Sequence, residues 1–207
     1  MPFAAVRGDN LYYEVHGSGE TVVLLHHGFS AVKMWERIFP GMVRAGYRVV
    51  MFDRRGYGKS EPGPEFEQFY LSDAFCDENV ESMAGLMSVL GVDSFHLVGQ
   101  CEGGVIGLEY AVKYPEQVRS MVVAGTQCYG TMPMPDFNAW KFPLPFHELD
   151  PTIRQKIVHW HGEDHAEFFY NLTRVEGGAY GRGVFDIRPL LPSVRCPTLV
   201  LYPCLLY

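Results

Sequence analysis

The chain has 207 residues, of which 47% are hydrophobic and 20% are charged. These values are typical of a single soluble globular domain. The formal net charge is -7, which argues against nucleic acid or an anionic membrane surface as a main partner. The apolar runs, such as 21–25 and 198–202, are too short to cross a bilayer, and the N-terminus does not read as a secretion signal.

Five cysteines occur at irregular spacing, at Cys76, Cys101, Cys128, Cys196 and Cys204. Their odd number and the lack of a C-x-x-C pair argue against a disulfide framework and against a zinc ribbon. We expect Cys128 and Cys196 to be small packed side chains. This cysteine usage predicts an intracellular, reducing compartment. The cytoplasm fits best, and a peroxisomal location remains open for a full-length relative.

Strand-like segments begin at the N-terminus. Residues 6–15 predict a hairpin with a turn over Gly8, Asp9 and Asn10. Continuous apolar runs then predict strands buried on both faces. These strands are expected at 21–25, 47–52, 95–98, 120–124 and 198–202.

Helical segments separate several of these strands. Residues 77–90 place apolar side chains on one face, and Gly91 is suited to the helix C-terminus. A second helix is expected over 105–114, ended by Pro115. This alternation predicts an α/β fold with a mainly parallel sheet that has helices on both faces.

The alternation stops between Gln127 and Pro192, where proline, aromatic residues and histidine are frequent. Helices are expected at 151–160 and 166–174 without a strand between them. We interpret 127–193 as a helical cap inserted over the carboxyl edge of the sheet. The core would then comprise residues 1–126, and 194–207 would be a remnant of its C-terminal part.

A candidate nucleophile lies in the segment 99–104, which reads Gly-Gln-Cys-Glu-Gly-Gly. It follows a predicted strand and opens a helix, the context in which G-x-nucleophile-x-G forms a sharp elbow. The free N–H groups and dipole of that helix would stabilise a thiolate at Cys101. The alternative is a glycine-rich turn that holds a buried, unreactive cysteine.

Two further motifs each follow a predicted strand. Residues 25–30 read Leu-His-His-Gly-Phe-Ser, and residues 53–60 read Asp-Arg-Arg-Gly-Tyr-Gly-Lys-Ser. Together with the elbow, and in the same order, they resemble the oxyanion loop and the D-x-R-G-x-G-x-S stretch of the α/β-hydrolase family. Residues 195–201 look like the strand that follows the cap in this family.

The resemblance implies that Cys101 attacks an acyl carbonyl carbon and that the backbone N–H groups of Phe29 and Glu102 hold the oxyanion. Cysteine is the minority nucleophile here, as in dienelactone hydrolases, and its thiol ionises more easily than a hydroxyl. The implied substrate is a small hydrophobic ester, thioester or lactone, in a setting such as secondary metabolism. No cofactor is implied, because neither a G-x-G-x-x-G after a strand nor a P-loop occurs.

Polar residues beside these motifs have structural interpretations. Asp53 and Arg54 are expected to shape their loop, as in relatives, and His26 and His27 to be packed or to orient theirs. The aromatic residues of the cap favour an apolar acyl group, although they also suit simple packing. They are Phe137, Trp140, Phe142, Phe146, Phe168, Phe169 and Tyr170.

The sequence departs from the family after residue 202. The family order is nucleophile, acid, then histidine, whereas 203–207 read Pro-Cys-Leu-Leu-Tyr and contain no carboxylate. We therefore expect a C-terminally truncated chain that lacks the last strand, the histidine loop and the final helix. Strand 198–202 would then be an apolar edge able to form a homodimer. A catalytically impaired binding or regulatory protein is the alternative function.

Histidines at 159, 161 and 165, with Asp164 between the last two, raise the possibility of a metal site. On a continuous helix His161 and His165 would share a face. However, the spacing is one residue longer than the metallo-β-lactamase ligand pattern, and Gly162 weakens the helix. We therefore predict a solvent-facing cap helix and no metal, while a cap histidine acting as the missing base remains open.

Overall fold

Seven strands form one sheet in the order β1-β2-β4-β3-β5-β6-β7. The computed structural model describes residues 3–176 and 184–202. The two N-terminal strands pair antiparallel to their neighbours, and the other five are mutually parallel. The predicted α/β class with a mainly parallel sheet is confirmed. The strands are β1 Phe3–Val6, β2 Asp9–His16, β3 Glu20–Leu25, β4 Tyr47–Phe52, β5 Phe95–Gln100, β6 Val118–Ala124 and β7 Thr198–Leu201.

The predicted N-terminal hairpin is present, but its turn differs from the expected one. Val6 pairs with Asp9, so the turn contains only Arg7 and Gly8. Both have positive φ, 52° and 92° respectively, as required by the tight two-residue turns that match strand twist. Asp9 and Asn10, expected in the turn, belong to β2.

Seven α-helices occur among the described residues. They are α1 Phe39–Arg44, α2 Phe66–Tyr70, α3 Phe75–Val89, α4 Glu102–Lys113, α5 Met134–Lys141, α6 Pro151–His161 and α7 Glu163–Glu176. Short 3₁₀ turns cover Val32–Trp35, Phe146–Glu148 and Arg188–Ser193. Within the described ranges, every helix is too short or too polar to cross a membrane.

Helices cover both faces of the sheet because the buried strands are apolar on both sides. In β3, Val23 and Leu25 pack in the cluster that contains α3 and α4, whereas Val22 and Leu24 pack with Trp35 on the other face. This is the two-residue alternation of a strand. Gly91, with φ of 62°, follows α3 as predicted.

The segment 127–193 contains α5, α6 and α7. Gly162, with φ of 82°, ends α6 before α7 begins. The idea of one continuous helix with His161 and His165 on a shared face is therefore wrong. The helices form a small core of their own from Phe146, Ile157 and Tyr170. The exact limits of the core and cap remain a prediction.

Strand β7 lies at the edge of the described sheet, beside β6. Its side chains are largely exposed, including Leu199 at 55% and Val200 at 58%. Such an edge presents unpaired backbone groups to solvent. Self-association through it remains a prediction. Cys204 and the expected departure from the family at 203–207 lie outside the described residues.

Candidate active site

The strand order fixes where a site can form. After β3 the chain crosses to β4 on one side and later returns to β5 on the other side of β3. In parallel sheets, the crevice at such a switch point, at the carboxyl ends of the strands, is where ligands bind. The loop that starts at His26 and the elbow at Cys101 both lie at this edge.

Cys101 occupies a strained turn between β5 and α4. Its φ of 51° and ψ of -117° lie outside the regions that a side chain ordinarily allows, and such strain concentrates at functional sites. The turn is held because the Cys101 N–H donates to the Ala124 carbonyl at 2.9 Å, and the Gly104 N–H donates to the Cys101 carbonyl at 2.9 Å. The predicted elbow is present.

Two glycines of the motif are required by close packing. A Cβ atom at Gly103 would lie 2.5 Å from the Leu25 carbonyl oxygen, and one at Gly104 would lie 1.9 Å from Oγ1 of Thr126. Both separations are below van der Waals contact. These glycines therefore let the start of α4 approach the neighbouring strand ends, which brings Cys101 close to the loop after β3.

Cys101 is exposed and lines a cavity that is partly open to solvent. Burial raises the pKa of this thiol, and the adjacent Glu102 carboxylate raises it further. The Glu102 N–H, which hydrogen-bonds to the thiol, acts in the opposite direction but does not prevail. The helix N-terminus thus favours the thiolate as expected, but burial and a neighbouring negative charge outweigh the backbone amide.

The structure brings Cys101, Phe29 and Glu102 to the wall of one cavity. The Phe29 N–H, expected to hold an oxyanion, donates instead to Nδ1 of His27 at 3.1 Å. Burial lowers the pKa of His27 to about 4, so this imidazole is neutral near pH 7 and can accept the bond. His27 thus orients its loop, as one interpretation predicted. It also accepts the Phe29 N–H, which is therefore not free to bind an oxyanion.

A buried ion pair lies directly behind the elbow. Arg54 Nη2 is 2.7 Å from Oε1 of Glu102, and these side chains are only 1% and 10% exposed. The Tyr57 hydroxyl donates to the same oxygen at 2.9 Å, and the guanidinium lies over the Tyr57 ring. Arg54 therefore does more than shape its own loop, because it neutralises the carboxylate beside the candidate nucleophile.

One feature of the sequence could have indicated the Arg54–Glu102 ion pair. Arg54 and Glu102 are opposite charges at the carboxyl ends of predicted buried strands, where a charge needs a partner. Their separation of 48 positions hides the pairing until the strand order is known.

Asp53 and His26 tie the loops together as expected. The Asp53 carboxylate accepts the Val32 N–H at 2.7 Å and the Lys59 N–H at 2.9 Å. Burial nevertheless raises the pKa of Asp53 to about 7. His26 accepts the Arg54 N–H on Nε2 at 3.3 Å and donates from Nδ1 to the next carbonyl oxygen.

His161 connects the cap to both loops. Its Nε2–H donates to the Phe29 carbonyl at 3.1 Å, and its Nδ1 accepts the Gly58 N–H at 3.1 Å. Burial lowers the pKa of His161 to about 4. His165 donates to the Gly56 carbonyl at 2.8 Å. These two histidines therefore bond the cap to backbone groups of the core loops. Within residues 3–176 and 184–202, no three potential ligands cluster as a metal site.

The cavity has a volume of about 690 Å³ and is mostly apolar. Of the cap aromatic residues, Phe137, Phe142 and Tyr170 line it. Phe146 and Phe169 are buried within the packing, whereas Trp140 and Phe168 are exposed. Some of these aromatic residues are thus placed to contact an apolar acyl group, and others serve only in packing.

Comparison with known proteins agrees with this architecture. The profile of the alpha/beta hydrolase fold family matches residues 21–202. A 2-hydroxy-6-oxo-6-phenylhexa-2,4-dienoate hydrolase of Comamonas testosteroni is 34% identical over 71% of this chain, and a protein of the same name from Burkholderia cepacia is 34% identical over 90%. The enol-lactonase of Burkholderia xenovorans LB400 superposes with a TM-score of 0.70 at 21% identity, covering 96% of this chain and 80% of that one.

The matched regions cover only part of these relatives. The chain spans about half of the Comamonas protein, 52%, and 71% of the Burkholderia cepacia protein. Identity below 25% to the lactonase supports the fold alone. The family profile, the Burkholderia cepacia relative and the observed sheet nevertheless agree, and the chain belongs to the α/β-hydrolase family.

Proposed function

We propose that this chain cleaves small hydrophobic esters, thioesters or lactones, by hydrolysis or acyl transfer, with Cys101 as the nucleophile. The observation that carries this proposal is the strained Cys101 elbow, whose thiol opens into an apolar cavity. Strain of this kind is costly, of the order of 1–3 kcal/mol. A merely structural cysteine would not need it.

The proposed reaction has two steps. The Cys101 thiol loses its proton to the departing group through solvent, and its sulfur forms a bond with the carbonyl carbon. The bond from that carbon to the alcohol oxygen, thiol sulfur or ring oxygen breaks, which leaves an acyl thioester. Attack by water then releases the acid and restores the thiol, and attack by another nucleophile instead completes acyl transfer.

The backbone N–H groups of Glu102 and Phe29 are proposed to stabilise the oxyanion in both steps. Glu102 lies at the start of α4, and its N–H is directed at the Cys101 sulfur. The Phe29 N–H must first leave Nδ1 of His27. Loss of one such donor costs about 3–4 kcal/mol of transition-state stabilisation, so an occupied Phe29 amide predicts slow acylation.

The names of the relatives support small-molecule hydrolysis. Two of them are named as hydrolases of 2-hydroxy-6-oxo-6-phenylhexa-2,4-dienoate, which is a small compound with an apolar ring. We propose small-molecule hydrolysis for this chain as well, in a setting such as secondary metabolism and in a reducing compartment suited to its free cysteines.

The test is single-turnover mass spectrometry with an activated acyl thioester. We expect one acyl group on the wild-type chain and none on Cys101→Ala. Cys196→Ala is the matched control, because Cys196 is half-buried and lies outside the cavity lining. Absence of label on a folded wild-type chain would refute the nucleophile assignment.

A binding or regulatory protein is the second candidate. It is favoured by the raised pKa of the Cys101 thiol and by the engaged Phe29 amide, both of which oppose turnover. Isothermal titration calorimetry on Cys101→Ala, which measures binding without acylation, separates the enzyme from the binding protein. Ligand binding without any acylation of the wild type would support the binding protein.

A further inference from the structure

The charges around the cavity do not match those of the whole chain. The net charge of the chain is -7, yet two lysines, Lys141 and Lys156, line the cavity. Glu102 is the single acidic side chain among the described lining residues, and Arg54 neutralises it at 2.7 Å. The cavity wall therefore carries an excess of about two positive charges in an otherwise acidic protein.

Neither lysine has an acidic partner within the described part of the chain. The Lys141 ammonium lies 5.3 Å from the ring centre of Phe137, and the Lys156 ammonium lies 5.0 Å from that of Trp160. Both rings belong to the cavity wall. Lys113, by contrast, contacts the Asp77 carboxylate on the surface. The two cavity lysines are thus held on aromatic faces with their charge available to a ligand.

Both lysines share the cavity lining with Cys101 and His27. The charge of Lys141 acts on the Cys101 thiol, and that of Lys156 acts on His27, lowering the pKa in each case. They come from different helices, α5 and α6, and both side chains are exposed. Together they form a cationic rim, defined here as Lys141 and Lys156, around an apolar interior.

We propose that this rim selects substrates that combine an apolar acyl chain with a carboxylate group. The apolar part fills the cavity, and the carboxylate pairs with the rim without being fully desolvated. This inference rests on the proposed function for its catalytic meaning, but the binding preference stands without catalysis. Exposed ion pairs are worth about 0.2–1 kcal/mol each, so each lysine should contribute a preference of roughly 1.4- to fivefold.

The test compares two probes that differ only at one end, which is either a carboxylate or its methyl ester. They are the mono-4-nitrophenyl ester of octanedioic acid, which has a free carboxylate, and the methyl ester of that compound. We expect the wild type to be acylated about fivefold faster by the charged probe, in line with about 1 kcal/mol for the pair of lysines. The preference should decline in Lys141→Gln and Lys156→Gln and disappear in the double variant.

Lys113→Gln is the control, because it removes a lysine from the surface ion pair and should keep the full preference. Calorimetry with Cys101→Ala, using octanedioic acid monomethyl ester and its dimethyl ester, measures selectivity without chemistry. Preferred binding of the monoester with no acylation of the wild type would support the carboxylate preference of the rim and refute the assignment of Cys101 as nucleophile. Equal acylation rates and affinities for the charged and neutral probes would refute the proposed role of the rim. A preference that is unchanged in the double lysine variant would refute it as well.

Discussion

The backbone N–H of Phe29 donates to Nδ1 of His27 at 3.1 Å, within a loop that lines the same cavity as Cys101. An amide proposed to stabilise an oxyanion is thus already paired with a neutral imidazole two residues earlier. The Nε2–H of His161 donates to the carbonyl oxygen of Phe29 at 3.1 Å, so the next peptide of the loop is held as well. The orientation of this loop is therefore fixed by two histidines, one from the core and one from the cap.

Replacing His27 with phenylalanine should increase the rate of Cys101 acylation. The ring keeps its edge-on contact with Trp160, seen at 5.4 Å, but no longer accepts the Phe29 N–H. Because one oxyanion donor is worth about 10²–10³ in rate, partial release should give an increase of about tenfold. Stopped-flow acylation measures this, with His159→Gln as a control on the cap surface. A decrease in the rate would instead assign His27 a direct role.

The reactivity of Cys101 should keep rising above pH 9. Its pKa lies above the ordinary value of 9.0 because of burial and the Glu102 carboxylate, and only the thiolate reacts. In Glu102→Gln the negative charge is removed, so the midpoint should move to lower pH. Rates of alkylation by iodoacetamide from pH 6 to 11 would show both effects. A midpoint unchanged in the variant would contradict the role of this carboxylate.

The sequence predicted the strands well because a buried parallel strand is a continuous apolar run, and the Cys101 elbow because its glycines follow such a run. It could not place the Phe29 N–H, whose direction depends on a peptide orientation and not on residue type. Nor could it join Arg54 to Glu102 or His161 to Gly58, because these contacts depend on strand order and on the position of the cap. The hairpin turn was misplaced because Arg7, which has positive φ, is not a typical turn residue.

The buried pair Arg54–Glu102 should show strong energetic coupling. Methionine at either position alone leaves an unpaired buried charge, which should lower the free energy of unfolding by about 3–5 kcal/mol. The double variant Arg54→Met/Glu102→Met removes both charges and should lose less than either single variant. Urea denaturation of the four proteins gives the coupling energy. Additive losses would mean that the two side chains act independently.

His161 should make the fold sensitive to acid. Its pKa is lowered from 6.5 to about 4, so the unfolded chain binds a proton that the folded chain resists. Stability from this group is complete above pH 6.5 and is lost as the pH falls toward 4, by about 3 kcal/mol in total. His161→Gln can keep both hydrogen bonds without titrating.

The difference in unfolding free energy between wild type and His161→Gln, measured from pH 7.5 to 4, isolates this contribution. Asp53, whose pKa is raised to about 7, changes stability in the opposite direction, but it is common to both proteins and cancels. Parallel pH profiles for the two proteins would refute the assignment of the acid sensitivity to His161.

The exposed edge of β7 should drive self-association between copies of this chain. Leu199, Val200 and Leu201 are 55%, 58% and 48% exposed on a strand whose outer backbone groups lack a partner among the described strands. A lysine at the edge opposes strand pairing through charge repulsion and hydration. Sedimentation velocity should show a concentration-dependent dimer for the wild type and a monomer for Val200→Lys.

Val89→Lys alters an equally exposed valine on α3, 59% exposed, and should leave the dimer intact, because association depends on the unpaired strand and not on apolar exposure alone. Dimers that persist in Val200→Lys, or that dissociate in Val89→Lys, would place the contact elsewhere.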